Sequence, residues 1–434
     1  MNRYLINSFK LCYLDSSITQ TTKLFSTFVV LLPIALISGP ALPDILLSIV
    51  ALYFLTISIY KKLWRYYQNP VVLGFLLFCI YSILRSIFSE FPFESLFNSG
   101  SIFYFRYIFF GMGVWYLIDK NPYLINLFFI ISVLCIFIVS IDGIYQYFHG
   151  FNILGYEKFN IARITGLFND EPKIGRYLAY LSMLIFALSF QVLQKNKISI
   201  SFLIFLISLS SLTIFLSGER TALYIFSFFL ILTCFFKNKL QLPIILSFIL
   251  SFILILIAIS INPIAKKRMI DKTLTQISAT EMGFLPYSPG YEEHYRAALI
   301  LFRDHPVFGI GPDTYRLQCE KKEYDFKSKC NSHPHNYYFQ ILSELGLVGF
   351  LFSFSLFLSL SFILIKQFII QFKKHKSDQL SQNGIIFTVN IFVCFWPLIP
   401  HLDLYNNWQN VLIMLPLGFF MKHLFGERDH GVIS

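Results

Sequence analysis

The sequence predicts an all-α polytopic membrane protein with about twelve transmembrane helices and one large outer loop. Three observations carry that expectation. Hydrophobic residues fill 56% of the 434 positions and charged residues only 14%, too apolar a balance for a soluble chain of this length. Apolar runs of about 17–25 residues, long enough to cross a bilayer, recur along the whole chain. Lys and Arg gather in short connectors between those runs, so the net charge of +11 is read as a topological bias. Nucleic acid is not expected as a partner.

The runs fall at roughly 24–40, 42–60, 71–88, 102–118, 123–147, 177–194, 198–216, 221–236, 241–261, 347–366, 386–401 and 410–422. The first 23 residues are polar and lack a compact apolar core with a small-residue cleavage site, so no cleavable signal is expected. The connectors "KKLWRYYQ" (61–68), "KNK" (195–197), "KNK" (237–239) and "KQFIIQFKKHK" (366–376) fall on one side by parity. The opposite short connectors "GPALP", "SEFPFESLFNSGS" and "DLYNNWQ" carry no Lys or Arg. By the positive-inside rule both termini are cytoplasmic. Two longer segments, 148–176 and 262–346, are then outer. The chain divides into residues 1–261, with nine helices and the outer loop 148–176; the large outer loop 262–346; and residues 347–434, with three helices and the cytoplasmic C-terminus. Within the large loop, "GYEEHYRAALILFRDHPVFGIG" has helical spacing from Glu292 to Arg303, ended by His305–Pro306 and the Gly309/Gly311 turn.

Several polar groups of the outer side suit chemistry on an anion. Arg163 ("IARITGLFNDEP"), Arg220 ("LSGERTALYIF") and Arg296 ("EEHYRAALI") are cations there. Arg220 turns the chain between two apolar runs, and it either snorkels to the headgroups or holds an anion beside the free N–H groups of a helix start. Arg85, Arg106, Asp142 and Gln146 lie near the outer ends of their helices. Asp142 either pairs with one of the arginines or acts directly. In "NSHPHNYYFQILSELGLVG" (331–349), His335 is a candidate general base, because an imidazole near its ordinary pKa of about 6.5 takes a proton at neutral pH. Asn336 is placed to cap the helix that follows, and Gly346 and Gly349 permit close approach. His333 and His335 lack further ligands at metal-site spacing, and no Asp-x-Asp metal–diphosphate motif stands in the outer loops, so no metal and no cofactor are expected. Of seven cysteines, Cys79, Cys135, Cys234 and Cys394 lie in apolar runs. Cys319 and Cys330 share a polar loop, where either a disulfide or two free thiols fits.

Taken together these segments resemble the O-antigen ligase family of bacterial membrane glycosyltransferases. "HN", nine residues, then "GLVG" fits its His-(Asn/Ser/Gln)-x9-Gly-x-x-Gly signature with His335, Asn336, Gly346 and Gly349. "SGERTAL" resembles its Ser-Gly-x-Arg-Thr turn, with Arg220 as the arginine. "YRAALILFRDHPVFGIGPDTYR" resembles the segment before the histidine, with Arg296, and "DGIYQYFHG…RITGLFNDEPKIGRYLAYL" the first long outer loop, with Arg163. The likeness runs over roughly 140–350, with a weaker echo in "FWPLIPHLDLYNNW"; residues 1–139 agree only in hydropathy.

The resemblance implies a GT-C-like fold in the inner membrane of a Gram-negative cell. It implies metal-independent, inverting transfer of a glycan from undecaprenyl diphosphate to a sugar hydroxyl of lipid A–core at the periplasmic face. Arg163, Arg220 and Arg296 would hold the diphosphate and His335 would deprotonate the acceptor, with Arg106 and Asp142 in support. An O-antigen polymerase and a protein O-oligosaccharyltransferase use the same type of donor and stay open as alternatives. A lipid-linked sugar transporter fits less well, because the polar groups gather at one face. Glu219 departs from the pattern: an acid beside Arg220 has to turn away from a diphosphate or pair with another cation. Asp403 is a candidate to orient His335.

Overall fold

The computed structural model describes residues 11–98, 101–193, 197–236, 241–278, 289–321, 332–373 and 379–426. The described chain is helical and contains no strand among these residues, in keeping with the all-α expectation. A helix stands at each of the twelve apolar runs. Eight helices are long and apolar enough to cross a membrane, while Gln20–Ala35, Arg220–Phe235, Gln382–Cys394 and Asn407–Met421 are shorter.

Helix ends follow local chemistry more closely than hydropathy does. Asn69 accepts from the Val72 N–H and, with Pro70 at the first turn, starts Pro70–Ile87. Gly150, in left-handed geometry, ends Leu124–His149. The run 102–118 starts in a 3-10 turn, Ser101–Phe103, and becomes α-helical only at Arg106, and the helix at the run 386–401 ends at Cys394. Helices pack closely where small residues meet. A Cβ on Gly418 of Asn407–Met421 would stand 2.7 Å from the Gly111 carbonyl of Arg106–Lys120, so this crossing requires glycine. Apolar side chains such as Leu52, Phe252 and Phe362 stay exposed on the outer faces of the bundle, the surface that lipid covers.

The largest departure from expectation is the helix Tyr337–Ile370, which begins ten residues before the predicted span and breaks at Gly346 (φ 64°, ψ −164°). Hydropathy sees only the segment after the break. The segment 306–311 of the large loop lies against the break and completes its backbone bonding. Leu347 N–H donates to the Pro306 carbonyl (2.9 Å) and Val348 N–H to that of Val307 (3.3 Å). Ile310 and Gly311 N–H groups donate to the carbonyls of Ser343 (3.0 Å) and Glu344 (2.8 Å). Buried backbone polar groups need partners at membrane depth, and here the loop supplies them. Arg85 adds a tie from the neighbouring helix, its guanidinium donating to the carbonyls of Phe308, Gly309 and Phe88.

Elsewhere the large loop holds Ile264–Lys266, Lys272–Ser278, Pro289–Asp304 and Tyr315–Cys319. The helix expected from Glu292 to Arg303 is the one at Pro289–Asp304. Tyr295 stacks on Phe339 at 4.4 Å, which fastens that helix to Tyr337–Ile370. Cys319 is disulfide-bonded; Cys330 lies outside the described residues.

Candidate functional site

The site is assembled at one end of the bundle from segments far apart in sequence. Its centre is Glu219, the residue before Arg220–Phe235. Glu219 is buried, and its carboxylate accepts from the Gly175 N–H (2.7 Å) and the Arg176 N–H (3.2 Å) at the start of Ile174–Val192. A carboxylate at a helix N-terminus is favoured by the exposed N–H groups and the helix dipole. Arg163 and Arg176 both act on this carboxylate electrostatically. The acid beside Arg220 therefore turns away into a helix start and pairs with other cations.

Around Glu219 gather four arginines. Arg163 and Arg220 come together as expected, and Arg176 and Arg268 join them. Arg163 is affected by the charges of Arg176 and Arg220, Arg268 by those of Arg163 and Arg220. Arg268 donates to the Gly218 carbonyl (2.8 Å), and Arg220 donates to Thr273 (3.1 Å) and Gln276 (2.7 Å) of Lys272–Ser278. Burial and the like charges of Arg163 and Arg220 lower Arg268 to about 10. A guanidinium pushed down in this way is one that an anion would relieve.

Sequence reasoning missed Arg176 and Arg268, yet a signal existed. Both belong to basic clusters, "KIGR" and "KKR", on the side where the charge bias predicts few cations. Arg296 is not drawn into the four-arginine group: its Nη2 donates to Glu292 Oε1 (2.7 Å) on the half-exposed face of its own helix.

His335 sits next to this group. It has a left-handed backbone, φ 61°. Its ring lies 4.2 Å from that of His333, 5.4 Å from His294 and 5.3 Å from Tyr291. Burial, with His333, His294 and Arg176 nearby, lowers its pKa to about 3, well below the unperturbed value assumed from sequence. His333 falls to about 4 and His401 to about 3, burial again being the main cause. The ring of His335 is therefore neutral at physiological pH. His401 holds its main chain from the last loop: the His401 N–H donates to the His335 carbonyl (2.8 Å).

Asp403, the orienting group expected from sequence, is committed elsewhere. It accepts from Gln340 Nε2 (2.7 Å) and the Tyr405 N–H (3.1 Å), and it hydrogen-bonds Asp313. Glu344, buried on the same Gln340 (3.2 Å), completes a carboxyl set with the half-buried Asp313 and Asp403. Burial and the neighbouring Asp403 hold Asp313 well above the usual carboxylate range, so it keeps a proton and donates it to Asp403. A raised acid contributes stability that is full below its unfolded pKa of about 3.9 and fades as pH rises toward its folded value. Asp313→Asn, which suits φ 54° and still donates, is expected to remove this loss. Thermal melts in detergent from pH 5 to 8 should fall less steeply with pH for the variant than for the wild type.

Asn336 caps the helix as expected, accepting from Tyr338 N–H (2.9 Å) and Phe339 N–H (3.3 Å). It also donates to the carbonyls of Pro397 (2.8 Å) and Ile399 (3.1 Å), which ties the loop 395–406 to the histidine. Gly349 is buried one turn past the Gly346 break.

Two supporting residues take structural parts. Arg106 pairs with Asp44 (2.9 Å) and donates to Asn407 (2.8 Å), joining three helix ends. Asp142 pairs with no arginine in its recorded bonds; it accepts from the Ile153 N–H (3.0 Å) and from Asn152 (3.2 Å). Gln146 works alongside it, accepting from Thr165 and Gly166 N–H (2.8 Å each) and donating to Tyr156 and Glu157 carbonyls. Both shape the loop that presents Arg163. Among the described residues no group of His, Cys, Asp and Glu forms a metal cluster.

A helical bundle with a cationic cluster and a neutral imidazole at one end is suited to chemistry on an anion. Residues 202–354 match the family model described as O-Antigen ligase, which supports the resemblance to that family read from the sequence. The matched stretch contains Arg220, Arg268, Arg296, His335, Asn336, Gly346 and Gly349. Arg163 and Arg176 lie before it and join through Glu219. The match supports ligase or polymerase-like function. No curated protein matches the chain.

Proposed function

We propose that this protein is an O-antigen ligase of the bacterial inner membrane, active at its periplasmic face. It transfers a glycan from undecaprenyl diphosphate to a sugar hydroxyl of lipid A–core. The observation that carries the proposal is the convergence of Arg163, Arg176, Arg220 and Arg268 beside a neutral His335. The arginines hold the diphosphate by bidentate contacts and stabilise the charge that builds as it leaves. Arg296 completes the set by exchanging Glu292 for a phosphate oxygen. The acceptor hydroxyl attacks the anomeric carbon from the face opposite the phosphate. Its proton passes to the lone pair of His335, the C–O bond to phosphate breaks, and the electron pair leaves on undecaprenyl diphosphate. Direct displacement inverts the anomeric centre.

A base of pKa about 3 is weak until the donor arrives. The negative charges of a bound diphosphate favour the imidazolium, so donor binding raises the proton affinity of His335. This has a kinetic signature. kcat/KM reports the free enzyme, and its histidine limb is expected far below the working range, leaving the profile flat from pH 5.5 to 8. kcat reports the loaded enzyme, and it should fall as pH drops through a higher value. Identical pH limbs for the two parameters would count against this account.

The identifying experiment is reconstitution of the full chain in liposomes with undecaprenyl-diphosphate glycan and lipid A–core. Transfer onto lipid A–core without added divalent metal is the expected result. Elongation of lipid-linked glycan with the core left bare would make the protein a polymerase.

A further inference from the structure

A concavity lies along the loop that presents Arg163, and none of the four arginines lines it. About 680 Å³ in volume, it is lined by His149, Phe151, Glu157, Lys158, Asn160 and Ile161, with Ile264 opposite; ligand sites commonly measure about 300–1,000 Å³. Its two walls run directly into the cluster. Asn160 bridges to Arg163, whose guanidinium lies over the Phe159 ring at 5.7 Å. Ile264 opens the short helical stretch that leads to Arg268.

The first wall is built in advance of any ligand. Phe151 and Glu157 pair across it, Lys158 N–H donates to the Gly150 carbonyl (3.2 Å), and Gln146 and Asp142 clamp it from below. Apolar side chains stand exposed on the same loop: Ile153 and Leu154 are each 64% exposed, and Ile161, in the lining itself, 78%. Exposed apolar side chains beside a pocket call for lipid chains, while the Lys158, Asn160 and His149 of its lining call for an anionic saccharide.

We infer that this pocket receives the sugar end of the acceptor glycolipid, with its acyl chains lying along Ile153, Leu154 and Ile161. The inference rests on the ligase reading and deepens it. It separates the two substrates in space: the donor diphosphate on the arginines, the acceptor on the loop that presents Arg163. It also gives Asp142 and Gln146 their purpose, which is to hold the acceptor wall rigid.

The test places p-benzoylphenylalanine in place of Ile161 in the full chain, in liposomes carrying tagged lipid A–core, tagged undecaprenyl-diphosphate glycan or tagged phosphatidylglycerol. Light should yield an adduct with lipid A–core that excess untagged lipid A–core abolishes. Adducts with the donor or with phosphatidylglycerol in its place would overturn the inference. A paired variant, Leu154→Ser with Ile161→Ser, should raise the acceptor KM about tenfold or more, the scale of losing buried aliphatic contacts, and leave donor KM unchanged. A rise in donor KM alone would overturn it too. Wild-type transfer is scored separately. Transfer without the glycolipid adduct sinks the pocket and keeps the ligase, whereas the adduct without transfer sinks the ligase and keeps the pocket.

Discussion

Removing the imidazole of His335 is expected to lower glycan transfer by about 10²–10⁴-fold, the usual contribution of general-base catalysis, while donor binding stays within a few-fold. The backbone dictates which variant tests this best. His335 has φ 61°, a conformation that alanine adopts poorly and asparagine tolerates well. His335→Ala mixes lost chemistry with backbone strain; His335→Asn keeps the turn and offers hydrogen bonds but has no basic nitrogen. Both should be inactive, and the asparagine variant should melt closer to the wild type. Measurement of transfer and of donor affinity on the same preparation separates the effects. An asparagine variant with near-normal kcat would show that the acceptor proton goes elsewhere.

The second large effect is on the fold. Gly346→Ala is expected to destabilise the protein by about 4 kcal/mol, summing a backbone conformation open essentially only to glycine with an overpacked contact. Its φ of 64° and ψ of −164° lie in that region, and a Cβ there would stand 2.4 Å from the Val307 carbonyl oxygen and 2.6 Å from the Gly309 nitrogen. Neither neighbour yields easily, since both are backbone that completes the broken helix. Gly309 faces the same seam, where a Cβ would meet the Glu344 carbonyl carbon at 2.4 Å. The variant should melt earlier in detergent and expose the 306–311 segment to protease. An unchanged melt would mean that the break is not needed to dock the loop.

Much of the architecture was legible because hydropathy reports lipid contact directly: a helix stands at each apolar run, and eight among the described residues are long and apolar enough to cross a membrane. The site was legible in part. Arg163, Arg220 and His335 stand in local patterns whose meaning survives without the fold. The partners of those residues do not. The carboxyl set of Asp313, Glu344 and Asp403 is drawn from three distant segments, and nothing local marks them as neighbours. Asp142 looked like a membrane-depth charge in search of an arginine, yet its partners are the backbone and side chain of the loop just after its own helix. The pKa of His335 was misjudged for the same reason. Its neighbours His294, His333 and Arg176 approach from other elements, and only packing brings their charges to bear. Arg106 read as a site cation because its pairing with Asp44 spans helices whose contact the sequence does not announce.

The tie between His401 and His335 bears on how the enzyme comes into being. The main chain that ties down His335 emerges from the ribosome long after it, beyond the two helices Tyr337–Ile370 and Gln382–Cys394. A nascent chain halted between His335 and His401 carries every arginine of the cluster and the histidine, yet it lacks the N–H that holds the His335 carbonyl. On the proposed mechanism such a fragment is expected to be inert toward a lipid-linked sugar, with activity beginning only when the C-terminal hairpin closes on the rest. A gene split between residues 373 and 379 would test this, with two silent halves regaining transfer when expressed together.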